Sequence, residues 1–453
     1  MFLFSKMRTT LAVAAFLASS TSILAAPVKG GGFLGLNKAS GNETTKTYSA
    51  VFSKEEDPTE FYQADHIDKL LPSCVSNAHC HVNKAFAACT FDATQDCSEA
   101  VNSMTEISTM NEALEVRTYA TLTGSPWGLQ RVSSNTAVAG SSQDQSFTYT
   151  FDSTGNLGQG VDIYIIDTGV RTSHAVFSQG GVARASLGFS AVDGETQDGD
   201  GHGTHVAGTC AGAKFGISQN ANIIAVKALD DTGSGSSTAV LSALNYVMQQ
   251  HTAKKAKSGF KGSVINMSLG LGGRSSSLEE ALKSVNDAGV HVAVAAGNDA
   301  TDACTSSPSA LGGSNSAVVS VGAMNIDNEV ASFSNIGKCV DVYAPGEQVL
   351  SSWNTGDTII NFLSGTSMAS PHVAGMMAYF IGQDPTQFGQ SPTALKAHIL
   401  STAVSGAVSG SVGGGNSLLL NNGASGSSKR LVKNYVVPGQ DFSVHSTDSP
   451  VRL

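Results

Sequence analysis

Residues 161–167 read VDIYIID, an apolar run of strand length that ends on an aspartate. Working outward, the same rhythm repeats. HVAGTCAG (205–212) has helix spacing, ANIIAVKA (221–228) is again a strand-length apolar run, and TAVLSALNYVMQQ (238–250) is helical. SVINMSL (263–269), SLEEALKSVNDAG (277–289), VHVAVAAG (290–297), AVVSVGA (317–323), CVDVYAPG (339–346) and SMASPHVAGMMAYFIG (367–382) continue it. Nearly continuous apolar strands alternating with helices predict βαβ units. The fold class is therefore α/β, a parallel central sheet with helices on both faces. In such a sheet, active residues sit on loops at the carboxyl ends of the strands.

The flanks differ. Lys6 and Arg8, the apolar run Leu11 to Leu17, and Leu24-Ala25-Ala26 form the pattern of a cleaved secretory leader over residues 1–26. The apolar run is too short for the ~20 residues of a membrane span, and no later segment is long and apolar enough to cross a bilayer. Residues 27–119 open Gly-rich, alternate around Tyr48 to Phe52, then crowd Cys74, Cys80, Cys89 and Cys97 together. A polar, helix-prone run ending in Leu114-Glu115-Val116 follows, and nothing in the segment has catalytic spacing. After Gly423 the chain turns Gly/Ser-rich and then polar, a tail over 424–453.

The chain has 453 residues, 41% of them hydrophobic, 14% charged and 49 of them glycine, a globular composition. Its net charge of −10 gives no general attraction for phosphate, so nucleic acid is not an expected partner. Seven cysteines leave at least one without an intrachain partner. The four close ones allow three pairings, and sequence does not choose among them. Zinc is the rival reading there, with His79 and His81 beside Cys80.

Three loops carry chemistry. Asp167 ends its strand and precedes Thr168-Gly169. His202 lies in GHGTHVAGT and Ser367 in SGTSMASPHVAG, both at helix starts. Singly these are a turn former, a packed histidine and a helix cap. Together they are the parts for acyl transfer. A serine hydroxyl needs a base to take its proton, and the imidazole needs a carboxylate to fix its tautomer and stabilise its cation.

DTG, HGTHVAGT and GTSMASPHVAG, in that order, resemble the subtilisin-like serine proteases. PWGLQRVS (126–133), VKALDDTGSGSS, NMSLGLGG, VAVAAGND, ASFSNIGKCVDVYAPG and GNSLLLNNG resemble the proteinase K-like branch, over roughly 120–423. The resemblance implies a serine endopeptidase, with Asp167, His202 and Ser367 as the triad and Asn298 as a side-chain oxyanion donor. His205 is not carried over as catalytic. It implies peptide-binding strands at Gly233-Ser234-Gly235 and Ser268-Leu269-Gly270. A primary pocket would lie between the latter and Ala295-Ala296-Gly297. Small apolar walls suit large apolar or aromatic side chains. Two departures are Asp299, a carboxylate placed to admit basic residues, and Ser237, where relatives can carry an aromatic lid.

The resemblance also implies a disulfide between Cys304 and Cys339, with Cys210 a buried free thiol. No cofactor is needed for catalysis. A structural calcium is expected on Asp341 and the carbonyls of Ser316 and Val318, whereas Ser401 replaces the carboxylate of a second site. The segment 27–119 is read as a pro-segment, an intramolecular inhibitor and chaperone of the catalytic domain 120–423. Counting back from Trp127 by the branch's spacing puts self-cleavage between Tyr119 and Ala120. A secreted, extracellular monomer acting on polypeptides is the expectation. The alternatives are an aspartic protease using Asp167 and Asp231, a zinc site at His202 and His205, and a non-catalytic binding protein.

Overall fold

The computed structural model describes residues 45–53, 70–82, 87–113, 119–424, 430–431 and 442–445. The expected leader lies outside them. The chain divides into two compact units, residues 1–115 and 116–453.

The first unit is a small α+β body. Strands β1 (Lys46–Phe52), β2 (Ser76–Val82), β3 (Ala87–Ala93) and β4 (Ile107–Glu112) form a sheet of order β2-β3-β1-β4, with helix α1 (Gln95–Asn102) after β3. Tyr48, Ala50 and Phe52 alternate inward and share a core with Phe91 and Val101, as the period-two pattern requires. Cys80 and Cys89 are opposite each other in the β2–β3 register and are bonded, and Cys74 is bonded to Cys97. Cys80 is thus committed to sulfur, and the zinc reading beside His79 and His81 falls. The polar run expected to be helix-prone is helical only as far as Asn102, its end at 114–116 lies outside the described residues, and between them it forms β4. Its residues pair along β1 from Glu112 opposite Tyr48 to Ile107 opposite Phe52, and that pairing overrides local preference.

The second unit begins with β5 (Tyr119–Ser125), helix α2 (Trp127–Val132) and β6 (Phe147–Asp152), the two strands antiparallel. The central sheet follows: β7 (Val161–Asp167), β8 (Ala185–Ser190), β9 (Asn222–Lys227), β10 (Gly262–Met267), β11 (His291–Ala295), β12 (Val319–Met324) and β13 (Val342–Pro345). The seven strands lie in the order β8-β9-β7-β10-β11-β12-β13, all pairs parallel. The helices are α3 (His202–Ala211), α4 (Ser237–Lys254), α5 (Ser276–Asp287), α6 (Thr366–Gln383), α7 (Pro385–Phe388) and α8 (Pro392–Thr402).

Burial on both faces explains why the strands read as unbroken apolar runs. Successive side chains of β7 go to opposite faces. Ile163 and Ile165 pack with Val206 of α3 and Val373 of α6, while Tyr164 and Ile166 pack with Val240 of α4 and Leu282 of α5. Helix α6 is buried from Thr366 to Gly382, which is why its sequence is apolar all round. Each of its Val, Ile, Phe and Met side chains is worth ~1.5–3 kcal/mol when fully buried.

Beyond the sheet, β14 (Val349–Ser352) and β15 (Ile359–Leu363) form an antiparallel pair. The segment expected as a tail contributes two short strands, β16 (Arg430–Leu431) beside β5 and β17 (Ser443–Val444) beside β15. Phe442 stacks on His174 at 6.2 Å.

Candidate active site

Asp167, Ser268 and Asn298 come from the carboxyl ends of β7, β10 and β11 or the loops just past them, and His202 and Ser367 from the first residues of α3 and α6. The sheet thus gathers residues that are far apart in sequence at the carboxyl ends of its central strands. Asp167 is 0%, His202 5% and Ser367 6% exposed. A cleft of about 440 Å³ is lined by His202, Ser367 and Asn298 together.

The Nδ1 of His202 lies 2.7 Å from Asp167 Oδ1, which also accepts the Thr168 N–H at 2.8 Å. A carboxylate at that distance makes Nδ1 the protonated nitrogen and leaves Nε2 with its lone pair. Burial opposes the imidazolium, but Asp167, Asp200 and Asp198 outweigh it and hold the His202 pKa above its usual 6.5. A Cβ at Gly203 would run into the Gly169 carbonyl, so only glycine lets the start of α3 abut the Asp167 loop this closely.

The Ser367 hydroxyl donates to the Ser268 carbonyl at 3.2 Å, while Ser268 Oγ donates to the Ser367 carbonyl at 2.7 Å. Among the described residues His202 Nε2 takes no hydrogen bond. Pairing serine with histidine therefore needs a rotation of the Ser367 side chain away from the Ser268 carbonyl.

Asn298 Oδ1 accepts from the Thr366 backbone N–H at 2.8 Å and from its hydroxyl at 2.9 Å. This turns Nδ2 toward the backbone of Gly365. A Cβ on Gly365 would stand 3.5 Å from Asn298 Nδ2 and 3.6 Å from the Ser367 nitrogen. Two donors thus converge on a space that a glycine keeps open.

Gly233-Ser234-Gly235 and Ser268-Leu269-Gly270 line the same cleft, as expected. Its apolar surface comes from Leu229, Val240, Leu269 and Leu271. Ala295-Ala296-Gly297, expected as the facing wall of the primary pocket, begins at the last residue of β11. Ala295 and Ala296 are buried, and none of the three is among the residues that line the cleft. Asp299 is exposed and also outside the lining, so the carboxylate facing the cleft is Asp200, whose Oδ1 accepts the His202 N–H at 3.0 Å. Ser237 opens α4, which Ser236 caps by accepting the Ala239 N–H at 3.1 Å.

The structure also brings in residues the sequence did not single out. Asp198 is buried and accepts from Thr168 Oγ1 and Gly201 N at 2.8 Å and from Thr204 N at 2.9 Å. It ties the Asp167 loop to the start of α3. Burial raises its pKa despite these donors. Lys227, register partner of Asp167, donates to the Thr168 carbonyl and to Asp231 Oδ1, both at 2.7 Å. Signals for these were absent, since a lysine and an aspartate near glycines look like surface residues.

The rival readings lose their geometry. Asp231 is held by Lys227 instead of sharing a proton with Asp167. The His205 ring is turned to the carbonyls of Val349 and Asn361 at 3.0 and 3.1 Å, and burial lowers its pKa to about 3. Cys304 and Cys339 are bonded, and Cys210 is free and buried. Asp341, Ser316 and Val318 do converge, but on the Lys396 ammonium, which lies 2.9 Å from Asp341 Oδ1 and 3.0 and 2.8 Å from the two carbonyls. With an ammonium at the centre, these residues do not fit a calcium ion.

A family model described as the subtilase family matches residues 158–429. The subtilisin-like serine protease pepC of Aspergillus niger is 41% identical over 329 residues, covering 69% of this chain and 59% of that protein. A cuticle-degrading serine protease of Arthrobotrys oligospora is 42% identical over 319 residues, covering 70% of this chain and 73% of that protein. The solved structure of a cold adapted subtilisin-like serine proteinase is 37% identical with a TM-score of 0.56, covering 66% of this chain and 98% of its own. The fold is therefore subtilisin-like, and the small α+β unit is compatible with a pro-segment. The chain belongs to the subtilase family.

Proposed function

We propose that the chain is a secreted serine endopeptidase of broad specificity, made as a self-processed zymogen of the proteinase K-like branch. The observation that carries the reading is the convergence of His202, Ser367 and Asn298 on one cleft, with Asp167 bonded behind His202. In the proposed reaction Ser367 Oγ turns from Ser268 to His202 and attacks the scissile carbonyl. Its proton passes to His202 Nε2, and Asp167 stabilises the resulting imidazolium. The oxygen, now negative, accepts from the Ser367 N–H and Asn298 Nδ2, donors already in place before charge develops. His202 then gives its proton to the leaving amine. Water repeats the sequence on the acyl-enzyme and releases the acid. These side chains suffice, so no cofactor is invoked for the chemistry.

Substrate is expected to lie extended along Gly233-Ser234-Gly235 and Ser268-Leu269-Gly270, where main-chain pairing tolerates varied sequence. Leu229, Val240, Leu269 and Leu271 favour apolar side chains, and Asp200 adds a negative charge beside them. A large apolar or aromatic residue on the acyl side is the expected preference, in a pocket between Ser268-Leu269-Gly270 and Ala295-Ala296-Gly297. The expected bond of self-cleavage, Tyr119–Ala120, lies at the first pairs of β5, opposite Asp152 and Phe151. Cleavage there requires that end of the strand to be open. Disulfides in both units fit an oxidising, extracellular compartment. No helix among the described residues is long and apolar enough to cross a membrane. Polypeptides and the chain's own pro-segment are the proposed partners, for a monomer.

The test is digestion of an unfolded polypeptide by the wild type and by Ser367→Ala at equal concentration. Loss of about 10⁶ in kcat, the scale measured for this change in subtilisin, is expected. Proteolysis by purified Ser367→Ala at near wild-type rate contradicts the reading.

A further inference from the structure

A second set of converging oxygens lies outside the cleft, and its centre is a side chain. Lys396 is the fifth residue of α8, whose Leu395 and Ile399 are buried. Its Nζ donates to the carbonyls of Gly313 at 2.8 Å, Ser316 at 3.0 Å and Val318 at 2.8 Å, and lies 2.9 Å from Asp341 Oδ1. Lys396 is 7% and Asp341 1% exposed. Asp341 is itself fixed by the N–H groups of Gly313 at 3.0 Å and Ser320 at 2.9 Å. An ordinary buried ion pair would account for one of these four contacts. Three main-chain carbonyls within six residues of chain, aimed with a carboxylate at a single point, are the donor set of a hard cation. The separations are those of charge-assisted N–H···O bonds.

We propose that the Lys396 ammonium is a built-in cation seated in a calcium-type oxygen cradle. The loop 313–318 and the approach to β13 are then held by a charge attached to the chain, and the native protein takes no calcium at this place. The cradle belongs to the loop and to Asp341, so removing the ammonium should leave it able to bind the ion it resembles. A solvent-open cavity of about 430 Å³ beside it, lined by Ser314, Asn315, Ser316, Thr393 and Lys396, would admit the ion and the waters needed to complete its shell.

The experiment compares the full chain with its Lys396→Ala variant, both in a Ser367→Ala background so that self-digestion does not contribute. Melting is followed in a chelator and in millimolar calcium. The native Lys396 protein should melt at one temperature in both. Lys396→Ala should melt about 6 °C or more lower in chelator, because it leaves a buried carboxylate without its partner. Calcium should restore most of that loss, by binding only the folded state. The restoration should vanish in Lys396→Ala with Asp341→Asn. If Lys396→Ala is not recovered folded, Lys396→Ser is refolded with and without calcium, and recovery only with calcium is expected. The proposal is overturned by any of three results. These are an unchanged melting temperature in Lys396→Ala, a loss or refolding yield that calcium does not alter, or a calcium response of the native protein that Asp341→Asn abolishes.

Discussion

Asn298 and Thr366 are locked together: the Asn298 carbonyl oxygen accepts from both the backbone nitrogen and the hydroxyl of Thr366, at 2.8 and 2.9 Å. The residue just before the proposed nucleophile thus fixes the amide proposed to face the developing oxyanion. The same hydroxyl accepts the Gly297 N–H at 3.1 Å. Thr366→Val removes the hydroxyl, and a lost hydrogen bond of ~0.5–1.5 kcal/mol corresponds to roughly a two- to tenfold fall in kcat. KM should hold, because the loss is felt only when the oxyanion forms. Thr366→Ser should restore the rate. A KM effect with kcat intact would show that Thr366 supports the cleft wall and not the donor.

Gly365→Ala places a methyl carbon 3.5 Å from Asn298 Nδ2 and 3.6 Å from the Ser367 nitrogen. That is the space the oxyanion would occupy. The expected result is a folded protein with kcat reduced by ~10²–10³, the scale of losing one such donor in subtilisin. Unaltered turnover on a peptide ester would place the oxyanion elsewhere.

The pH dependence follows from His202. The proposed base must be neutral to act, and its pKa is held above 6.5 by Asp167, Asp200 and Asp198 against the opposing effect of burial. Activity should therefore rise with pH, with the acid limb of kcat/KM centred above pH 6.5. Asp200→Asn removes one of the three negative charges and keeps an oxygen for the His202 N–H. Its acid limb should move to lower pH. A limb that stays fixed or moves up would mean that another group titrates.

Processing gives a further check. Ser367→Ala should accumulate as a precursor still joined across Tyr119–Ala120, because the proposed first cut is made by the enzyme on itself. Amino-terminal sequencing of the secreted wild type should begin at Ala120. Normal processing of the variant, or a mature chain starting at Thr118, rules out self-cleavage after Tyr119.

The sheet was legible because its strands are buried on both faces, so VDIYIID and VHVAVAAG announce themselves without neighbours. Asp167, His202 and Ser367 were legible because each stands where a strand ends or a helix begins, within a long motif. The remainder depends on pairing across distance. Nothing local to Ile107–Glu112 says strand, and β1 decides it. The Cys80–Cys89 bond follows from a strand register that sequence does not contain. Lys396 sits in PTALKAHIL, where a lysine reads as a solvated helix residue. Only the folded loop 313–318 reveals the oxygens that receive it.

The central claim is that Ser367 is made nucleophilic by His202. The most direct measurement is labelling of the native protein with a fluorophosphonate, with the modified residue located by peptide mass spectrometry. The account predicts a single adduct on Ser367, formed rapidly in the wild type and slowed by orders of magnitude in His202→Ala. An adduct on any other residue, or labelling of Ser367 at the same rate without His202, would contradict it.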